Sequence, residues 1–171
     1  MRRELALAVL FLASAATFAQ SARTDHGDVY DAVLRHYGKD FERRHKTRAM
    51  RLIIDQTTLL RPESLGYARK ELPEALADAL LAANREPISL GRYVPPEPHL
   101  RISVQADDDW RKRYPAFDGT LTFSVPVYAG TEAVVYFETY CGNLCGEGNV
   151  YWLRRADGEW KVQKSFMPWV S

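Results

Sequence analysis

Apolar residues recur at four-residue intervals at Val29, Val33, Tyr37 and Phe41, with Tyr30 and Leu34 beside them. That stripe predicts an amphipathic helix from about Asp28 to His45 with one face on a core. Leu52-Ile53-Ile54 reads as a short buried strand. Leu72, Leu76, Leu80 and Ala83 trace a second helix, with Pro73 near its first turn and Asn84 and Pro87 at its end. The stretch from Glu86 to Pro98 carries Pro87, Pro95, Pro96 and Pro98 and is read as a stiff connection, because neither flank is large enough to fold alone. An extended pattern resumes from His99 to Val104.

The last third alternates with a period of two. Leu121, Phe123, Val125 and Val127 lie on one side, followed by Ala133, Val135, Phe137 and Thr139, and then by Trp160 and Val162 after an Asp157-Gly158 turn. These runs predict an antiparallel meander with helices packed on one face, an α+β domain. A helix cradled by a curved sheet, as in cystatin-like or nuclear-transport-factor-2-like proteins, is the layout expected.

The start of the chain reads differently. Met1-Arg2-Arg3 leads into an apolar run of 14 residues, Leu5 to Phe18, then small residues with a cut expected after Ala19. A bilayer span needs roughly 20 such residues, so 1–19 is read as a signal peptide rather than an anchor. A single domain over 20–171 then lives in the periplasm or outside the cell, with no stable membrane anchor once the leader is cut. Losing Arg2, Arg3 and Glu4 reduces 23 basic and 22 acidic side chains to 21 of each. A near-neutral chain without a basic excess argues against a nucleic-acid partner.

On the meander's other face Tyr136, Glu138 and Tyr140 alternate with the buried set, and Trp152 belongs to the next strand. A hairpin centred near Cys145 would put Glu138 across from Trp152 and diagonal to Arg154. A carboxylate among aromatic rings suits a small-molecule pocket or a general base, because apolar neighbours raise its pKa. The plainer reading is a solvated cross-strand pair of Glu138 with Arg154.

The two cysteines, Cys141 and Cys145, lie in the loop Cys-Gly-Asn-Leu-Cys-Gly-Glu-Gly. In an oxidising compartment a structural disulfide is expected, with Gly142, Gly146 and Gly148 supplying the backbone freedom of a tight loop. A redox pair would need the Cys-x-x-Cys spacing and a helix start, and zinc would need two more ligands, while His26, His36, His45 and His99 are scattered. The glycines follow a strand but precede another strand, so they are not a phosphate loop. Asp107-Asp108-Asp109 invites a metal reading. Arg111, Lys112 and Arg113 four residues later make charge pairing in a short helix the better one, with Trp110 and Tyr114 sharing a face and Pro115 ending it. No metal and no cofactor is expected.

From Arg35 to Arg51 seven basic residues face two acidic ones, and Arg35, Lys39 and Arg43 form a ridge. The ridge is either a solvated helix face or a contact for anionic lipid, cell-wall polymer or an acidic partner. Signatures of common secreted hydrolases, such as Gly-x-Ser-x-Gly or His-Glu-x-x-His, are missing.

The residues Trp110, Tyr114-Pro115, Gly119, Phe123-Ser124, Ala133-Val134-Val135-Tyr136, Cys141-Gly-x-Leu-Cys-Gly-x-Gly148, Asp157-Gly-x-Trp160 and Trp169-Val-Ser171 resemble an uncharacterised family of exported bacterial proteins. The resemblance covers about the last 60 residues and implies export and a shared sheet, with no known activity. The expected function is a non-catalytic binding module for a small molecule or a protein, using the Tyr136, Glu138, Tyr140 and Trp152 face or the 141–148 loop. The alternative is an enzyme with Glu138 as general base.

Overall fold

A computed structural model describes residues 25–41, 43, 51–55, 57–93, 100–102, 109–142 and 144–171. The leader, the helix end at His45, the His99, Ser103 and Val104 positions of the extended run, and Asp107 and Asp108 lie outside the described residues. The fold is α+β, with helices packed on a seven-stranded sheet.

Helix α1 (residues 25–41) buries the predicted stripe, Val29, Tyr30, Val33 and Tyr37. The strands are β1 (Leu52–Ile54), β2 (Leu100–Ile102), β3 (Gly119–Phe123), β4 (Val127–Ala129), β5 (Glu132–Gly142), β6 (Cys145–Ala156) and β7 (Glu159–Val170). Their order is β2-β1-β3-β5-β6-β7, with β4 also paired to β5. β1 runs parallel to both β2 and β3, and the remaining pairs are antiparallel. The meander β5-β6-β7 is therefore as predicted, extended by a parallel margin.

Two expectations need correction. The sheet is covered on both faces. α1 packs on the face carrying Leu121, Phe123, Val135, Phe137, Tyr151 and Leu153. The other face carries Val134, Tyr136 and Val150 beneath Leu60, Leu65 and helices α2 (Ala68–Glu71) and α3 (Glu74–Ala83). The physical reason lies in β5, where Ala133 to Phe137 are apolar without a break and all fully buried, the mark of a strand with no solvated side.

The run from Leu121 to Val127 is likewise not one strand. It breaks at Ser124-Val125-Pro126, where proline has no N–H to give a ladder. Asn84, the residue closing α3, clamps the break: its Oδ1 accepts from Val125 N at 2.6 Å, and its Nδ2 donates to Leu80 O at 2.8 Å and Val125 O at 3.1 Å. Ser124 continues the pairing by other means, its Oγ accepting from Tyr136 N at 2.8 Å.

The Asp157-Gly158 turn joins β6 to β7 with both residues at positive φ, 55° and 82°, the two-residue turn whose twist suits a hairpin. At the opposite end of β6, α4 (Trp110–Arg113) lies against the β5-β6 hairpin, and the Arg111 guanidinium occupies the space beside Gly142.

Candidate functional site

The register places one polar rung across the sheet face beneath the 62–65 turn. Thr122 of β3, Glu138 of β5, Gly148 of β6 and Trp169 of β7 are consecutive partners. Asp55, one residue past β1, extends the rung, since the Thr122 hydroxyl donates to its carboxylate. Two residues back along β5, on the same face, the Tyr136 hydroxyl donates to Glu138 Oε2 at 2.7 Å and accepts from Trp169 Nε1 at 2.8 Å. The indole reaches Tyr136 because β6 has no side chain in its way.

Burial, reinforced by the hydrogen bond and charge of Glu138, pushes the Tyr136 phenol well above its usual range, against the opposing bonds from Trp169 and Ser64. The phenol therefore stays a neutral donor and holds Glu138 in place. Burial also raises the Asp55 carboxyl, the Thr122 bond opposes it, and the charge of Glu138 adds to the rise. Asp55 Oδ1 is buried without a hydrogen-bond partner among the described residues.

The predicted face is thus split. Glu138 is half-buried and Tyr140 is exposed, but Tyr136 is fully buried and Trp152 packs against the second core cluster with Lys164 Nζ 5.9 Å from its ring centre. The expected neighbour of Glu138 is corrected as well. Glu138 faces Gly148, while Trp152 faces Val134 and Arg154 pairs with Glu132 at 2.8 Å. The hairpin closes at Gly142 opposite Cys145, earlier than the Cys145-centred hairpin assumed, so every partner shifts along β6. Asp55, Thr122 and Trp169 were missed by sequence reasoning. The alternation of Thr120 and Thr122 with Leu121 and Phe123 marks a polar face on β3, but nothing local ties it to Asp55 or Trp169.

Cys141 and Cys145 are joined in a disulfide, with Cα atoms 5.1 Å apart. The ladder shifts register between Tyr140 and Gly142, and positive φ at Gly142 (111°) and at Leu144 (56°) turns the chain. Leu144 stands out at the tip, 90% exposed, and Val170 beside it is 70% exposed. Beneath them a cleft of about 210 Å³ is lined by Tyr37, Phe41, the disulfide, Leu144, Glu147 and Val170. An apolar residue in a conformation that favours glycine, held outward by a covalent staple, is a local rule broken at an exposed place.

The other sequence candidates are engaged locally. Asp109 pairs with Lys112 at 2.9 Å. Arg35 pairs with Asp31 and Arg43 with Asp40, so the basic ridge is partly neutralised by its own helix. His26 Nδ1 lies 2.6 Å from the Tyr128 hydroxyl, and burial, opposed by Asp25, lowers its pKa. Among the described residues no three His, Cys, Asp or Glu side chains gather as a metal needs, and no helix is long and apolar enough to cross a membrane.

No protein family, no curated protein and no solved structure matches this chain.

Proposed function

We propose that this chain is an exported, non-catalytic binding module whose contact element is the disulfide-stapled tip of the β5-β6 hairpin with the cleft beneath it. The observation that carries this reading is Leu144. A leucine 90% exposed at positive φ has neither a packing nor a backbone reason to be there, and burying it against a partner supplies one. Val170, Tyr37 and Phe41 extend the apolar area around it. The apolar leader and the disulfide are both consistent with an oxidising, exported location.

The alternative, a base at Glu138, has one observation in its favour, the raised Asp55 carboxyl close enough to feel Glu138. Against it stands the hydrogen bond from Tyr136, itself held by Trp169, which makes Glu138 part of the fabric joining β5 to β7. The plainer use of the rung is to fasten the last strand.

The test is binding of the exported, processed protein to isolated bacterial envelopes. Leu144→Asn keeps a residue that tolerates positive φ and removes the apolar group. It is expected to weaken binding about tenfold or more with an unchanged melting temperature, whereas Glu138→Gln leaves binding intact. Equal binding by wild type and Leu144→Asn contradicts the proposal.

A further inference from the structure

The bridge between Cys141 and Cys145 sits at the surface. Cys145 is exposed, Cys141 is half-buried, and both line the cleft beneath Leu144. A buried structural bridge is shielded from thiols until the protein opens, whereas an exposed one meets them in the native state. The pair lacks the Cys-x-x-Cys spacing and the helix start of a catalytic redox site, so its place in such chemistry is that of a target.

The root of the hairpin is held without the bridge. Below the tip the β5-β6 ladder runs from Tyr140 opposite Gly146 back to Glu132 opposite Arg154. Gly146 and Ser171 also exchange backbone hydrogen bonds, the Ser171 N–H donating at 2.9 Å and the Gly146 N–H at 3.4 Å, which ties the root to the residue after β7. A bridge between cysteines only four residues apart closes little loop entropy, so opening it leaves the fold standing. The tip is another matter. Beyond Tyr140 and Gly146, the pairing of Gly142 with Cys145 and the bridge close a turn in which Leu144 holds a left-handed backbone that disfavours an L side chain.

We infer that the Cys141–Cys145 bridge is a thiol-disulfide exchange site that switches the tip: a dithiol reductant opens it in the folded protein, and the opened tip releases Leu144 from its outward conformation and with it the partner. The switch rests on the tip being the binding element. One thiolate of the reductant attacks the Sγ of Cys145, the more exposed cysteine. The S–S bond breaks, its electron pair leaves on Cys141 Sγ, and that thiolate takes a proton from water. The reductant's second thiol, having lost its proton, then attacks its own sulfur in the mixed disulfide, and Cys145 departs and is protonated in turn. The bridge gains two electrons and two protons, and the dithiol becomes a disulfide.

Dithiothreitol in native buffer tests it, on protein recovered after export, with thiol alkylation and intact mass as the readout of opening. The bridge is expected to open at a rate within about tenfold of that in denaturant, with the far-UV circular dichroism unchanged. Reduced protein, freed of dithiothreitol under nitrogen, should bind envelopes about tenfold more weakly than the oxidised form, and re-oxidation should restore binding. Cys141→Ser with Cys145→Ser should bind as reduced wild type does, treated or untreated. A bridge that opens only in denaturant, a fold lost on reduction, or a double variant that still responds to the treatment each overturns the inference. Unchanged envelope binding after reduction overturns it too. If Leu144→Asn still weakens binding in that case, only the switch is wrong. If it does not, the tip is not the binding element.

Discussion

Trp169 donates from Nε1 to the Tyr136 hydroxyl at 2.8 Å, across the intervening strand β6 and through the space left by the absent side chain of Gly148. A Cβ on Gly148 would overlap Nε1 and lie 2.6 Å from the hydroxyl. The glycine is thus required by a contact between two strands it only separates. Gly148→Ala should therefore destabilise the fold by about 2–3 kcal/mol, the cost of overpacking plus a lost hydrogen bond. Trp169→Phe, which removes the bond and part of the indole's bulk without overpacking the rung, should cost less, about 1–2 kcal/mol. Denaturant unfolding of the two variants ranks them, and the reverse order refutes the geometry.

Asp55 gives a pH signature. Its folded pKa is raised above the unfolded value, so its contribution to stability is fully present below the unfolded pKa and is lost as pH rises through the folded one. The ionised carboxylate at neutral pH is a burden, sitting by Glu138 with one oxygen buried and unpaired among the described residues. Asp55→Asn should match wild type in acid and become the more stable protein as pH rises from about 4 toward 7. Unfolding midpoints of both proteins across that range decide it, and a constant difference removes the role given to ionisation.

His26 acts in the opposite sense. Its folded pKa lies below the unfolded value, so its contribution is present above the unfolded pKa and lost as pH falls through the folded one. Acid should loosen the start of α1 from Tyr128. A proton titration of the His26 ring by NMR should give a midpoint below about 6.5, and a midpoint above that contradicts the burial described.

Asn84→Ala removes three hydrogen bonds, two that join the end of α3 to Val125 in the break between β3 and β4 and one to Leu80 O within α3. Val125 N and O lose their side-chain partner, and a loss of about 2–3 kcal/mol is expected in thermal or denaturant unfolding.

Cys141→Ser with Cys145→Ser should lower stability by only about 2 kcal/mol, because the bridge closes a very short loop. The fold survives and the tip loses its fixed shape. The melting temperature should therefore fall modestly while envelope binding falls about as far as it does for Leu144→Asn.

The elements with strong local pattern were legible in the sequence. The α1 stripe, Leu76 and Leu80 of α3 with its proline and asparagine ends, the buried β1 triplet and the Asp157-Gly158 turn each obey one short-range rule and are in place, whereas Leu72 lies in the extended link before α3 and Ala83 is exposed. What escaped depends on pairing between distant residues. The register of β5 on β6 hinges on where the hairpin closes, and a misjudged closure moved Glu138 from Gly148 to Trp152. The rung from Asp55 to Trp169 runs across several strands and has no local signature. Coverage of both sheet faces was foreshadowed by the unbroken apolar run Ala133 to Phe137, which the period-two reading passed over. The candidate contact element, by contrast, coincides with the Cys-Gly-x-Leu-Cys-Gly-x-Gly string that stands out in the sequence.

Hydrogen exchange of the envelope-bound protein distinguishes contact through the hairpin tip from contact through the Asp55–Glu138 rung. Added protection is expected at Cys141, Gly142, Leu144 and Cys145 and at Val170 and Ser171, with the amides around Asp55, Thr122 and Glu138 unchanged. Protection confined to the Asp55, Thr122 and Glu138 rung, with the hairpin tip exchanging as in the free protein, would contradict it.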